Sequence, residues 1–218
     1  MARFSSIVAG SLLLGVSIAP ALAAAAQPAD ERQVAALLFP NPNVEALRAL
    51  GPGVLPALAA LYERSDEAQR TTIAWTFYSL SWKSADAKHV LLRDVHTTNT
   101  DLRLQVQWAL GRVSNDPDVV DVLLDNMRND GNPLFRDKAA CALANDQIHL
   151  TEDQKFRLYQ RLVDALKDSK LDVRQIALQV LRIQTGQTKS FDPAASPQAR
   201  EAALLEWQRW LESYRSHL

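Results

Sequence analysis

Four arginines recur along the chain at nearly constant spacing, and this repetition restricts the fold more than any other feature. Arg70, Arg103, Arg136 and Arg174 are separated by 33, 33 and 38 residues. Apolar residues stand three and seven positions after each arginine: Ile73 and Phe77, Val106 and Leu110, Ala139 and Leu143, Ala177 and Leu181. Because such offsets lie on one helical face, each arginine marks an amphipathic helix.

A second set of apolar residues precedes the same arginines. Twelve and sixteen positions before them stand Leu58 and Val54, Leu91 and Ala87, Leu124 and Val120, Leu162 and Leu158. Each repeat is therefore predicted to contain two helices with facing apolar stripes. Capping and turn residues such as Ser65-Asp66 and Asp130-Gly131-Asn132-Pro133 separate the two helices. The five extra residues of the last interval fall near His149 to Asp153 and predict a longer loop that disturbs no core position.

The repeats resemble HEAT repeats and the HEAT-like repeats of phycobilisome lyases over roughly residues 53–185. The resemblance rests on Asp101-Leu102-Arg103 and Asp172-Val173-Arg174, each followed by small and apolar residues. The first and third units depart from this pattern, with Asp66-Glu67-Ala68-Gln69-Arg70 and with Phe135 before Arg136. The resemblance implies an all-α protein, an α-α superhelix of the right-handed HEAT-like solenoid type. It also implies that the repeat arginines tie neighbouring repeats together.

The C-terminal segment resembles the ending of many bacterial HEAT-repeat proteins. Thr185-Gly186-Gln187 is followed by Phe191-Asp192-Pro193 and then by a helix that carries tryptophan. Gly186 can adopt the left-handed conformation that ends a helix, and Ser196-Pro197 is typical of a helix start. The stripe of the last helix contains Ala203, Leu204, Trp207, Leu211 and Tyr214.

Because a solenoid needs covered ends, the segments that flank the repeats are assigned as caps. Residues 27–52 are predicted to form short N-terminal capping helices, and residues 53–185 to form four two-helix repeats. Residues 186–218 are predicted to form a loop and a C-terminal capping helix.

The N-terminal segment has the features of a cleaved signal peptide. No charged residue lies between Arg3 and Asp30, and the apolar stretch Ile7 to Ala19 ends at Pro20. Small residues permit cleavage after residue 23 or after residue 26. The prediction is a periplasmic or secreted protein without a stable membrane anchor after cleavage. An uncleaved anchor is the alternative, since the uncharged stretch is long enough to span a bilayer.

Composition narrows the classes of partner. The chain has 24 Lys and Arg against 25 Asp and Glu, so it lacks the basic excess typical of nucleic-acid binding. The single cysteine, Cys141, lies among alanines and is predicted to pack as a small apolar residue, with a reactive role as the minor alternative.

No pattern in the sequence indicates a catalytic, metal or cofactor site. His89 and His96 are seven residues apart and lack the spacing of a helical zinc site, so they are predicted to be solvated. Asp116, Asp118 and Asp121 cluster at a predicted helix start, where negative charge is favoured. The sequence therefore predicts a protein without metal or cofactor and without enzymatic activity.

Two sets of repeat positions are candidate binding residues. Trp75 and Trp108 stand five positions after the first two repeat arginines, roughly opposite the apolar face. Together with Tyr78 and Leu104 they are predicted to line the concave surface of the solenoid as a ridge that binds a partner. The alternative is that both tryptophans pack between repeats. The repeat arginines are predicted to be structural, and an anion-binding ladder is the alternative reading.

Three functions follow in order of support. The first is a non-catalytic protein-protein interaction or scaffold module that acts outside the cytoplasm. The alternative, implied by the resemblance alone, is a lyase-like or chromophore-handling HEAT protein. The weaker alternative is a nucleic-acid-binding HEAT-like protein.

Overall fold

The computed structural model describes residues 29–146 and 150–218, and within these ranges the chain is all-helical. The predicted signal peptide and both of its cleavage sites lie outside the described residues. The helices are α1 (Glu31–Leu38), α2 (Val44–Ala49), α3 (Val54–Arg64), α4 (Glu67–Leu80), α5 (Ala85–Arg93), α6 (Thr100–Val113), α7 (Pro117–Asn129), α8 (Pro133–Cys141), α9 (Glu152–Ala165), α10 (Leu171–Thr185) and α11 (Pro197–Arg215). A π-helical turn, Ala142–Asp146, follows α8 directly.

The helices from α3 to α10 pack in consecutive pairs that form an α-solenoid, which confirms the predicted fold class. The second helices of the pairs, α4, α6, α8 and α10, contact one another in that order. Among the first helices, α3 packs on α5, and α7 contacts α9. The division into four HEAT-like repeats with two caps remains a prediction, although the pairs coincide with its boundaries.

Capping side chains fix where α4, α6 and α8 begin, whereas α10 begins after Lys170 without a side-chain cap. Asp66 accepts a hydrogen bond from the backbone amide of Gln69, and the Gln69 side chain accepts one from the amide of Asp66, which completes a capping box. Asn99 and Asn132 cap α6 and α8 through their side-chain oxygens. At the end of α10, Gly186 adopts the left-handed conformation with φ 71°.

The buried core lies between the two layers of helices. All eight apolar residues at three and seven positions after the repeat arginines are fully buried. The apolar residues twelve and sixteen positions before the repeat arginines are buried as well, except Val120, which is half-buried. Burial of so many aliphatic side chains, at about 1.5 to 3 kcal/mol each, is the main stabilising contribution to the fold.

The end segments pack against the neighbouring helix pairs. Helices α1 and α2 contact α3 and α4, and α11 contacts α9. On α11, Trp207 is fully buried and Ala203 nearly so, whereas Tyr214 is half-buried and donates a hydrogen bond to Glu152. Within residues 29–146 and 150–218, no helix combines the length and the apolar character needed to cross a bilayer.

Candidate partner-binding surface

The solvent-facing sides of α4 and α6 carry one exposed and three half-buried apolar side chains. Trp75 and Tyr78 lie on α4, and Leu104 and Trp108 lie on α6. Because α4 and α6 pack side by side, these four residues lie on adjacent helices, as the repeat register predicts. We call the four residues the α4–α6 surface.

Trp75 is the most exposed member of this surface, at 39% of its maximal area. It lines an open groove of about 380 Å³ between α4, α6 and the loop that joins α1 to α2. The other lining residues are uncharged: Pro40, Asn41, Pro42, Thr71, Thr72 and Gln105. The groove therefore combines an aromatic ring and two proline rings with amide and hydroxyl groups.

Trp108 is less exposed than the sequence predicts. It is half-buried against the core, and its ring centroid lies 6.2 Å from that of Tyr78, at an angle of 43° between the ring planes. The two side chains bridge α6 and α4, so Trp108 partly packs between repeats. Leu104, one turn before Trp108, is also half-buried.

Arg112 fixes the position of Tyr78. Its guanidinium group lies 3.9 Å from the centroid of the tyrosine ring and donates a hydrogen bond of 3.0 Å to the Tyr78 hydroxyl. The same group donates to Ser81 at 2.9 Å and to the carboxylate of Asp146 at 2.9 Å. Burial raises the pKa of the Asp146 carboxyl, and the hydrogen bond and charge of Arg112 oppose that rise. Arg112 therefore holds the Tyr78 side chain in one orientation at the α4–α6 surface.

The repeat arginines reach forward to the next helix pair. Arg70 forms an ion pair with Asp94 at 3.1 Å, while Arg103 pairs with Asp130 and Arg136 with Asp172. Two of them also lie over aromatic rings, Arg70 over Tyr62 and Arg103 over Phe135.

Arg174 binds backbone carbonyl groups instead of a carboxylate. It donates to the carbonyl oxygens of Pro193, Asp168 and Ser169 at distances of 2.8 to 2.9 Å. Each repeat arginine therefore already has an acceptor within the chain, which is the arrangement that the structural reading requires.

The two histidines and the cysteine considered for metal or redox chemistry form no shared site in the described part of the chain. His89 is exposed on α5, and His96 is exposed beyond the end of that helix. Within the described ranges, no three His, Cys, Asp or Glu side chains are placed to hold a metal ion. Cys141 is half-buried, and burial raises the pKa of its thiol.

The aspartate cluster binds cationic side chains. Lys88 of α5 contacts Asp116 at 2.7 Å and Asp118 at 3.1 Å, and Asp121 pairs with Arg161 of α9 at 2.7 Å. The hydrogen bond from Lys88 lowers the pKa of Asp116. Asp116 precedes α7 but forms no side-chain capping bond, so its role is an inter-helix contact.

Sequence reasoning missed the groove beside Trp75 and the contacts of Arg112. Thr71, Thr72 and Gln105 stand one or two positions after repeat arginines, so the register could have placed them on the outer face. By contrast, the position of Pro40 and Pro42 on the opposite side of the same groove depends on long-range packing that no local pattern encodes.

The comparisons with known proteins yield one structural match. It is the complex of CpcE and CpcF of phycocyanin lyase from Nostoc sp. PCC7120, with 20% sequence identity and a TM-score of 0.42. The match covers 71% of this chain and 97% of that chain. No protein-family model and no curated protein matches. Membership of the HEAT-repeat family and export therefore remain predictions.

This match corrects the prediction that the chain has no enzymatic activity. That prediction was inferred from a repeat fold without a recognisable catalytic pattern. The matched solved structure, however, is that of a lyase complex. The inference from fold to absence of catalysis was wrong. At this level of identity the likeness concerns the fold and transfers no activity to this chain.

Proposed function

We propose that this protein is an exported α-solenoid that binds a protein partner through the α4–α6 surface. The observation that carries the proposal is the exposed ring of Trp75 beside an uncharged groove. Tryptophan is enriched among residues that dominate binding energy, because it buries a large area and has few rotatable bonds.

The chemistry of the groove favours an uncharged, extended segment of the partner. The lining residues offer apolar rings for side chains, and the amides of Asn41 and Gln105 can pair with a peptide backbone. Such a combination matches the binding of extended peptides in aromatic grooves. A phosphate backbone would find no cationic side chain among the lining residues, which argues against the nucleic-acid alternative.

The surface is also pre-organised. Tyr78 is held by Arg112, and Trp108 packs against Tyr78. Side chains that are fixed before binding lose less conformational entropy when the partner docks. The contact area next to Trp75 is therefore ready for a partner in the free protein.

Affinity purification with matched variants tests this proposal. The tagged chain is expected to retain a defined protein from its native host, and Trp75→Ala is expected to weaken that complex at least tenfold. Leu205→Ala is the control, because Leu205 is 48% exposed on α11 and lies outside the α4–α6 surface. Equal loss with both variants, or retention with Trp75→Ala, would contradict the proposal.

Chromophore handling is the second candidate, raised by the sequence resemblance. Its test is the absorption spectrum of the protein purified from its native host. A visible band that co-purifies with the chain would favour this candidate over partner binding alone. Export has a separate test, since intact mass should show a mature chain that begins at Ala24 or Gln27.

A further inference from the structure

A second cavity, of about 290 Å³, opens between α7 and α9 on the other layer of the solenoid. Its apolar floor consists of Val120, Leu124 and Leu158, with Pro117 at one side. This cavity is separate from the α4–α6 surface, and the inference below does not depend on the proposed function.

The cavity explains why Val120 is the one apolar repeat position that is not fully buried. Val54, Ala87 and Leu158 occupy the same repeat position as Val120 and are at most 1% exposed. Val120 packs against the core on one side and faces the cavity on the other, so it is only half-buried. Leu158, on the opposite wall, lies in the interval of 38 residues that contains the five extra residues, whereas Val120 itself lies in an interval of 33.

Polar side chains of α9 bind Asn115, just before α7, and Asp121 of α7 at two points of the cavity rim. The Asn115 amide donates to the side chain of Gln154 at 2.8 Å, and Gln154 donates back to the Asn115 carbonyl at 3.0 Å. At the second point, Arg161 of α9 binds Asp121 of α7 at 2.7 Å. These bridges brace the two walls while the space between them stays open.

Arg157 is the cation that this arrangement leaves available. It lies on α9 three residues after Gln154 and four before Arg161, so all three share one helix face at the rim. Arg157 is exposed, and within the described part of the chain its side chain has no ion pair or hydrogen bond. The charged lining residues are Arg157, Arg161 and Asp121, which gives the rim an excess of one positive charge.

We propose that this cavity binds a small apolar carboxylate. The apolar body of the ligand would cover Val120, Leu124 and Leu158, and its carboxylate would pair with Arg157. Removing apolar surface from water favours occupation of such a floor. The planar guanidinium group suits a carboxylate, and a charge-assisted hydrogen bond is roughly twice as strong as a neutral one. The volume accommodates about ten water-sized groups, which is the size of octanoate.

Calorimetric titration with three eight-carbon probes tests the proposal. Octanoate should bind more tightly than octan-1-ol, and octylamine should bind most weakly, because only the first carries the charge that Arg157 complements. In Arg157→Gln the affinity for octanoate should fall about tenfold and that for octan-1-ol should stay the same. Arg32→Gln is the matched control, since Arg32 is exposed on α1 and lies outside the cavity.

A second variant locates the site. Val120→Phe should fill the cavity and reduce binding of octanoate and octan-1-ol alike, and the half-buried position of Val120 leaves room for the larger ring. In wild type, the methyl resonances of Val120, Leu124 and Leu158 should shift on addition of octanoate. Absence of octanoate binding, equal affinity for the three probes, or binding that survives both substitutions would overturn the proposal.

Discussion

The ring of Trp108 on α6 lies 6.2 Å from the ring of Tyr78 on α4, measured between their centroids. This contact joins the second helices of two adjacent pairs at the α4–α6 surface. It also separates the roles of two tryptophans that hold the same repeat position, because Trp75 is exposed whereas Trp108 is half-buried.

Substitution of the tryptophans should therefore have unequal effects on stability. Trp75→Ala is expected to change the free energy of unfolding by less than about 0.5 kcal/mol, as for most surface positions. Trp108→Ala should cost more, up to about 3 kcal/mol, because it removes packing against Tyr78. Urea unfolding followed by circular dichroism measures both. Trp207→Ala, which empties a fully buried site, is the reference for a large loss. If Trp75→Ala destabilised as much as Trp207→Ala, Trp75 would be a core residue.

The ion pair between Arg103 and Asp130 should be worth more than an exposed one. Only 11% of the arginine and 7% of the aspartate side chain are exposed, so Arg103→Gln leaves a buried carboxylate without its cation. The expected loss is about 3 kcal/mol. Arg93→Gln is the matched control, since its pair with Glu63 is exposed and should contribute less than about 1 kcal/mol. Similar losses for the two variants in urea unfolding would refute a tying role for Arg103.

Gly111 lies where α6 packs tightly against the π-helical turn. A Cβ atom added at this position would lie 2.8 Å from Cβ of Asp146. Gly111→Ala should therefore destabilise the protein by about 1 to 3 kcal/mol, since the buried neighbour has to move. Gly131→Ala is the control, because an added Cβ there meets no atom within 4 Å. A melting temperature of Gly111→Ala equal to that of the control would contradict the close packing.

Asp146 should make the protein less stable as pH rises. Burial raises its pKa in the folded state, so its contribution is complete below the ordinary aspartate pKa and is lost as pH rises through the folded-state value. Asp146→Asn cannot titrate and still accepts a hydrogen bond from Arg112. The free energy of unfolding of wild type minus that of the variant should fall as pH rises above the ordinary aspartate pKa of about 3.9. A difference that grows with pH would show that Arg112 outweighs burial.

The periodic part of the fold could be predicted from sequence. Offsets of three and seven residues placed the buried faces of α4, α6, α8 and α10, and the capping residues Asp66, Asn99 and Asn132 placed helix starts. These features depend on neighbours within one or two turns, which a local pattern contains.

The rest depends on distances between elements, which periodicity does not encode. Three features depend on how the helix pairs pack against one another. They are the half-buried state of Val120, the π-helical turn after α8 and the position of Pro40 beside Trp75. The same holds for Trp108, whose helical angle predicts an outward direction but whose neighbour Tyr78 decides its burial.

Site-specific photo-crosslinking in the native host determines whether a protein partner contacts the α4–α6 surface. A photoreactive phenylalanine analogue is placed in the full chain at position 75, at position 104 or, as a control, at the exposed position 209 on α11. We expect one discrete protein adduct from positions 75 and 104 and none from position 209. An adduct from position 209 alone, or no adduct from either position of the α4–α6 surface, would contradict this expectation.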